Sequence, residues 1–204
     1  EIKDCDDIVH IVKKSEDFDI AKKSNKIAIL IGMEGLQAID DNIDDVEKLY
    51  SFGVRHASLT WNEENKLATG AKGNTDRGLT EDGAKLIKKM EELGMIIDVS
   101  HLSDGGFEDV FSHSKRPFIA SHSNAREILN HPRNLTDEMI RKIAEKGGVI
   151  GLNFGGEFLQ KTGRSTVEAM LPHIRHIQNV GGYEVLVIGT DFDGVEEDME
   201  IRGC

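Results

Sequence analysis

Six short apolar runs, at residues 27–33, 54–59, 95–99, 117–120, 149–153 and 185–189, constrain this chain more than any other feature. Each is nearly continuous in apolar residues rather than alternating. That is the pattern of a parallel strand covered on both faces. Helical patterns fall between the runs. Residues 80–93 open with Thr80, Glu81 and Asp82, a capping residue and an acidic first turn. They carry Leu86, Ile87, Met90 and Leu93 at three-to-four spacing and stop at Gly94. Residues 44–52, 103–112, 136–145 and 166–180 follow the same plan, with Gly147 and Gly181 as stops. Residues 6–23 are expected to hold a further amphipathic helix.

Strand–helix alternation along the whole chain predicts an α/β fold with a parallel sheet. Two architectures compete, an open doubly wound sheet and a closed (β/α) barrel, and a closed barrel has eight strands. The 204 residues read as a single domain, 1–204, with 38% hydrophobic residues, enough for a substantial core. The net charge of −12 repels a phosphate backbone and argues against nucleic-acid binding. Cys5 and Cys204 stand at opposite ends, so neither a disulfide framework nor zinc-finger spacing exists. No apolar run approaches the roughly 20 residues of a membrane span, and no signal peptide is visible; the expected location is cytoplasmic.

The chemistry-bearing residues cluster just after the apolar runs. Glu34 follows the first, His101 the third, His122 the fourth, and Asp191 with Asp193 the sixth. Active sites of parallel α/β folds lie at the carboxyl ends of the strands, which bring together residues far apart in sequence. Taken singly, each has a plainer reading: a hydrogen-bonded structural histidine, a carboxylate near a helix start, or an aspartate in a turn beside Gly194. Together, two imidazoles and a carboxylate make a first shell suited to zinc. His56 falls within a strand run, and His113 and His131 show no converging pattern. His173 and His176, three residues apart, read as solvated helix surface. The polar stretch 61–78, rich in Gly and Asn, is a loop of a length that often carries function.

The ordered segments Ile31-Gly32-Met33-Glu34-Gly35, Leu59-Thr60-Trp61-Asn62, Gly78-Leu79-Thr80, Asp98-Val99-Ser100-His101, Ala120-Ser121-His122-Ser123, Pro132-Arg133-Asn134 and Gly189-Thr190-Asp191-Phe192-Asp193-Gly194 resemble those of the membrane (renal) dipeptidase family, peptidase family M19. The resemblance runs from about residue 27 to residue 195. It implies a (β/α)8 TIM-barrel-like fold, here incomplete with about six β/α units, and two zinc ions bridged by a glutamate. Glu34 matches that glutamate. His101 and His122 match two histidines that hold one of the metals. Arg133 matches an arginine that contacts substrate, where a planar guanidinium can grip both oxygens of a carboxylate. Asp191 matches an acid–base and substrate-orienting aspartate, with Asp193 as second choice.

Two departures from the family pattern matter. The family carries a His-x-Asp pair on its first strand, and no His-x-Asp occurs in these residues. Mammalian members place a substrate-contacting histidine after Leu-Thr, where this chain has Trp61, expected to wall the substrate pocket or to be buried packing. The expected activity is zinc-dependent hydrolysis of dipeptides, with Glu34 and Asp191 catalytic and Arg133, Asp191 and Trp61 against the substrate. Two alternatives stand beside it. One is a related binuclear amidohydrolase acting on lactones or other amides. The other is a truncated, non-catalytic remnant whose exposed strand edges pair with another chain, such as a second copy in a homodimer.

Overall fold

A computed structural model describes residue 5 and residues 7–194. Among these, the strands are β1 (Val9–Ile11), β2 (Ile27–Ile29), β3 (Ile31–Met33), β4 (Val54–Ser58), β5 (Ile96–Asp98), β6 (Ile150–Leu152) and β7 (Leu186–Ile188). The helices are α1 (Glu16–Lys23), α2 (Val46–Phe52), α3 (Glu81–Leu93), α4 (Asp104–His113), α5 (Asp137–Glu145), α6 (Gly156–Leu159) and α7 (Val167–Gly181). Each of the six apolar runs contributes parallel-paired residues. The first is split: β2 pairs with β1, while β3 pairs with β4. The run at 117–120 contributes single parallel bridges, Ile119 to Asp98 and Ala120 to Ile150. The helix expected within residues 6–23 is present but narrower, at 16–23, and residues 9–11 form β1 instead. There, Val9, His10 and Ile11 gain parallel partners in Ile27, Ala28 and Ile29, which outweighs the weak local periodicity.

The pairings run β1–β2, then β3–β4–β5, then through residues 119 and 120 to β6–β7. Each pair is parallel and joins neighbours in sequence. A doubly wound sheet would reverse its strand order partway; this array does not, and so follows the singly wound order of a barrel.

Helices end where their residues say they should. Thr80, Ser103, Thr136 and Thr166 each accept a hydrogen bond from the backbone N–H three residues on, capping α3, α4, α5 and α7. Gly94 terminates α3 in the left-handed conformation at φ 78°. The core is continuous between strands and helices, with Leu86, Ile87 and Met90 of α3 and Ile140 and Ile143 of α5 packed beside Ile97, Phe118 and Ile150. Burial on both faces holds for β6, but not for β2 and β7, where Ile27 is 62% and Ile188 77% exposed.

Candidate metal centre

The carboxyl ends of the strands converge on one cleft. Glu34 leaves β3, His101 leaves β5 three residues past its end, His122 follows Ala120, and Asp191 follows β7. One ligand atom from each of Glu34, His101 and His122 lies within 4.8 Å of the others. Glu34 Oε1 is 2.6 Å from His101 Nε2 and 3.2 Å from His122 Nε2, and the two Nε2 atoms are 2.9 Å apart. Asp191 stands behind them, its Oδ2 4.0 Å from His122 Nε2.

The surrounding hydrogen bonds decide which ring nitrogens face inward. His101 Nδ1 is 3.1 Å from Asn62 Oδ1, an acceptor, and equally 3.1 Å from Arg133 Nε, a donor, so its neighbours fix no single tautomer for this ring. His122 Nδ1 is 2.7 Å from Ser121 Oγ, whose own proton goes to Asp98 Oδ2; the serine therefore accepts from Nδ1–H. Both Nε2 atoms face each other and the Glu34 carboxylate, and the His122 Nε2 lone pair is free to take a cation. This donor set of two imidazoles and one carboxylate, gathered within reach of one point, fits zinc.

The electrostatics agree. Burial pushes His101 down to about 4, helped by the nearby charges of Arg133 and His122, although Glu34 opposes the shift. His101 is therefore neutral near pH 7 and available as a ligand. Its contacts with His101 and then His122 hold Glu34 well below the usual carboxylate range. Arg133 is pushed down to about 10 by burial, against the pull of Asp191, and stays cationic.

The other expected residues line the same cleft of about 360 Å³: Trp61, Arg133 and Asp191 share its wall with Glu34 and His101. Arg133 is buried; its Nη1 donates to Ser100 O, and its Nε and Nη2 lie 3.1 and 2.9 Å from the two ring nitrogens of His101. Trp61 is 46% exposed, its ring tilted over His101 at 6.2 Å, so it walls the cleft rather than filling the core. Asp191 and Asp193 both adopt left-handed backbone, at φ 62° and 63°. That costs of order 1 kcal/mol or more for a non-glycine residue and is common at functional turns. Only Asp191 lines the cleft; its Oδ2 accepts from Asn153 Nδ2 at 3.1 Å.

Several contributors escaped the sequence reading. Asn62 and Lys72 come from the loop 61–78, which is pinned to the site where Ala71 N–H donates to His101 O at 2.9 Å. Glu157 and Phe158 come from the short helix α6. His131 Nδ1 accepts from Arg133 N–H at 3.1 Å and orders the loop that carries the arginine. The only signal for these was position, in a polar loop or beside a motif residue. The reading of His173 and His176 as solvated surface is corrected. His173 is fully buried, accepting from Ala125 N–H at Nδ1 and donating from Nε2 to Leu159 O at 3.0 Å. His176 is half-buried, with Nε2 2.6 Å from Asp137 Oδ1. The spacing is helical as expected, but that face of α7 packs against α5 and α6.

A model of the membrane dipeptidase family (peptidase family M19) matches residues 2–201. An uncharacterised dipeptidase of Schizosaccharomyces pombe is 38% identical over 182 residues, which cover 86% of this chain and 44% of its own length. A Klebsiella pneumoniae protein from the region 5′ of pqqA is 35% identical over 189 residues, covering 88% of this chain and 70% of its own. A Rhodobacter sphaeroides metallopeptidase, solved with a phosphinate mimic of the dipeptide L-Ala-D-Ala, superposes at TM-score 0.90 and 29% identity, over 99% of this chain and 60% of that one. A Pseudomonas aeruginosa amidohydrolase superposes at TM-score 0.86 and 33% identity, over 94% of this chain and 58% of its own. This chain thus spans less than half of the S. pombe relative and about three-fifths of these two solved structures. With a family match across nearly its whole length and strand-end residues gathered in one cleft, the chain belongs to the membrane dipeptidase family, peptidase family M19.

Proposed function

We propose that the complete protein is a zinc-dependent dipeptidase. The observation that carries this reading is the convergence of Glu34 Oε1 with the Nε2 atoms of His101 and His122 at the mouth of a cleft sized for a small peptide. A divalent cation, when bound, supplies Lewis-acid polarisation of a scissile carbonyl and lowers the pKa of water. Glu34, His101 and His122 would hold one zinc, and Glu34 would be shared with a second in the complete enzyme. Asp191, held by Asn153 and facing His122, exchanges a proton at Oδ2 and orients the substrate. Arg133 meets the terminal carboxylate with its planar fork, and Trp61 bounds the space available to the substrate side chains. The M19 match and the dipeptide mimic in the R. sphaeroides relative support this choice of substrate.

The fold reading belongs with it: about six β/α units of an eight-unit barrel, the exposed faces of β2 and β7 being surface that further strands cover. In the short chain those faces favour association, in the simplest case a homodimer. The test is a dipeptide panel with zinc analysis on the complete polypeptide and its Glu34→Gln variant. Both zinc content and turnover should fall sharply in the variant, since an amide is a poorer ligand. Full zinc and normal turnover in Glu34→Gln would overturn the assignment.

A further inference from the structure

Beneath the two histidines lies a carboxylate to which the proposed chemistry assigns nothing. Asp98 ends β5, is 3% exposed, and collects its hydrogen bonds from the two turns that carry His101 and His122. Its Oδ1 accepts from Ser100 N–H at 3.0 Å, Ser100 Oγ at 2.8 Å and Ser121 N–H at 3.0 Å. Its Oδ2 accepts from Ser121 Oγ. Both serines pass the constraint on. Ser100 Oγ accepts from His122 N–H at 3.0 Å, and Ser121 Oγ lies 2.7 Å from His122 Nδ1.

We propose that Asp98 is a positioning residue that sets, through Ser121, which nitrogen of His122 carries the proton. The inference rests on the metal-binding reading above and deepens it. An ionised carboxylate can only accept, so the Ser121 hydroxyl must spend its proton on Asp98 and receive one from His122 Nδ1. Nε2 is then bare and available to a cation, while the link through Ser100 holds the backbone of His122 in place. Such outer partners fix the tautomer of a liganding histidine and raise its basicity.

The direction of this relay makes Asp98→Asn an informative change. The Oδ1 position receives two backbone N–H groups, so the amide oxygen of an asparagine must sit there. Its NH2 then faces Ser121 Oγ and donates to it. The serine is turned around, donates to His122 Nδ1, and drives the ring proton to Nε2, where it blocks the ligand lone pair. Shape is conserved while the tautomer is reversed.

The experiment is long-range ¹H–¹⁵N NMR of the histidine rings in the metal-free chain, paired with zinc titration against a chromophoric chelator. In the wild-type chain His122 Nδ1 should bear a hydrogen-bonded proton. In Asp98→Asn, Nδ1 should be bare and zinc affinity should fall about 10- to 100-fold. Ser121→Ala removes the relay and leaves the Asp98 backbone contacts. It should lose the protected Nδ1–H signal and weaken zinc binding, and Ser121→Thr should restore both. A bare Nδ1 in the wild-type chain, or zinc affinity in Asp98→Asn and Ser121→Ala within twofold of wild type, would overturn the proposal. A wild-type chain that binds no zinc would instead count against the metal-binding reading, and the Nδ1–H signal would still judge the relay.

Discussion

Arg133 illustrates how a buried charge can be kept for use. Burial costs it several kcal/mol in principle, and the carboxylates of Asp191, Asp98 and Glu34 help to hold it cationic. Arg133→Lys keeps the charge and loses the two-pronged geometry. The Michaelis constant for dipeptides with a free carboxylate should rise, with much less change for C-terminally amidated substrates; equal effects on both would argue against carboxylate recognition. His101 leads to a pH prediction for the metal-free chain. Burial first, then Arg133 and His122, puts its folded value at about 4, below the ordinary 6.5. The folded state thus prefers the neutral ring, and the stabilisation is complete above about 6.5 and lost as pH falls towards 4. Glu34, also lowered, acts in the same direction below its ordinary 4.5. Urea unfolding midpoints should fall between pH 7 and pH 4, with His101 alone contributing about 3 kcal/mol. A flat profile across that window would show that His101 is not held neutral.

At the scale of elements, His122 depends on how closely three backbones approach. A Cβ added to Gly151 of β6 would come 1.8 Å from Ser121 O and 2.9 Å from Gly189 Cα, both backbone atoms. Gly151 N–H donates to Ala120 O and Gly151 O accepts from Ser123 N–H, so this contact fixes the turn that presents His122. Gly151→Ala should cost about 3 kcal/mol in chemical denaturation and weaken zinc binding as well. Unchanged stability would mean the strands separate freely there. Helices were legible at this scale because caps and stops are local: Thr80, Ser103, Thr136 and Thr166 announce their helices without help from the rest of the chain. Strand β1 was not, because three residues with mixed polarity take their conformation from Ile27–Ile29 alongside. Helix α6, one turn starting at Gly156, carries too little pattern to be seen.

The whole chain has one three-ligand subsite among its described residues, Glu34 with His101 and His122. A second zinc would have only Glu34 from this chain, since no His-x-Asp is present. The 204-residue chain alone should therefore hold at most one zinc tightly, hydrolyse dipeptides poorly, and associate through its exposed strands. Metal analysis, a dipeptide assay and light scattering on one sample check this, and two tightly held zinc ions in an active monomer would refute it. Removing zinc with a chelator should lower the melting temperature, because a ligand that binds only the folded state stabilises it by mass action.

The order of strands and helices, β1 and α6 excepted, and the placing of Glu34, His101, His122 and Asp191 just past strand ends were determined by the sequence alone. They rest on near-neighbour chemistry: apolar runs, caps, glycine stops and the residues that follow them. Tertiary structure decided the rest. It turned Asn62 and Ser121 towards opposite sides of the two imidazoles, buried His173 while leaving Trp61 exposed, and set Asp98 beneath the ligands. Those outcomes depend on which loops meet across a cleft. The tautomer of a histidine follows from the acceptor that folding brings to its other nitrogen.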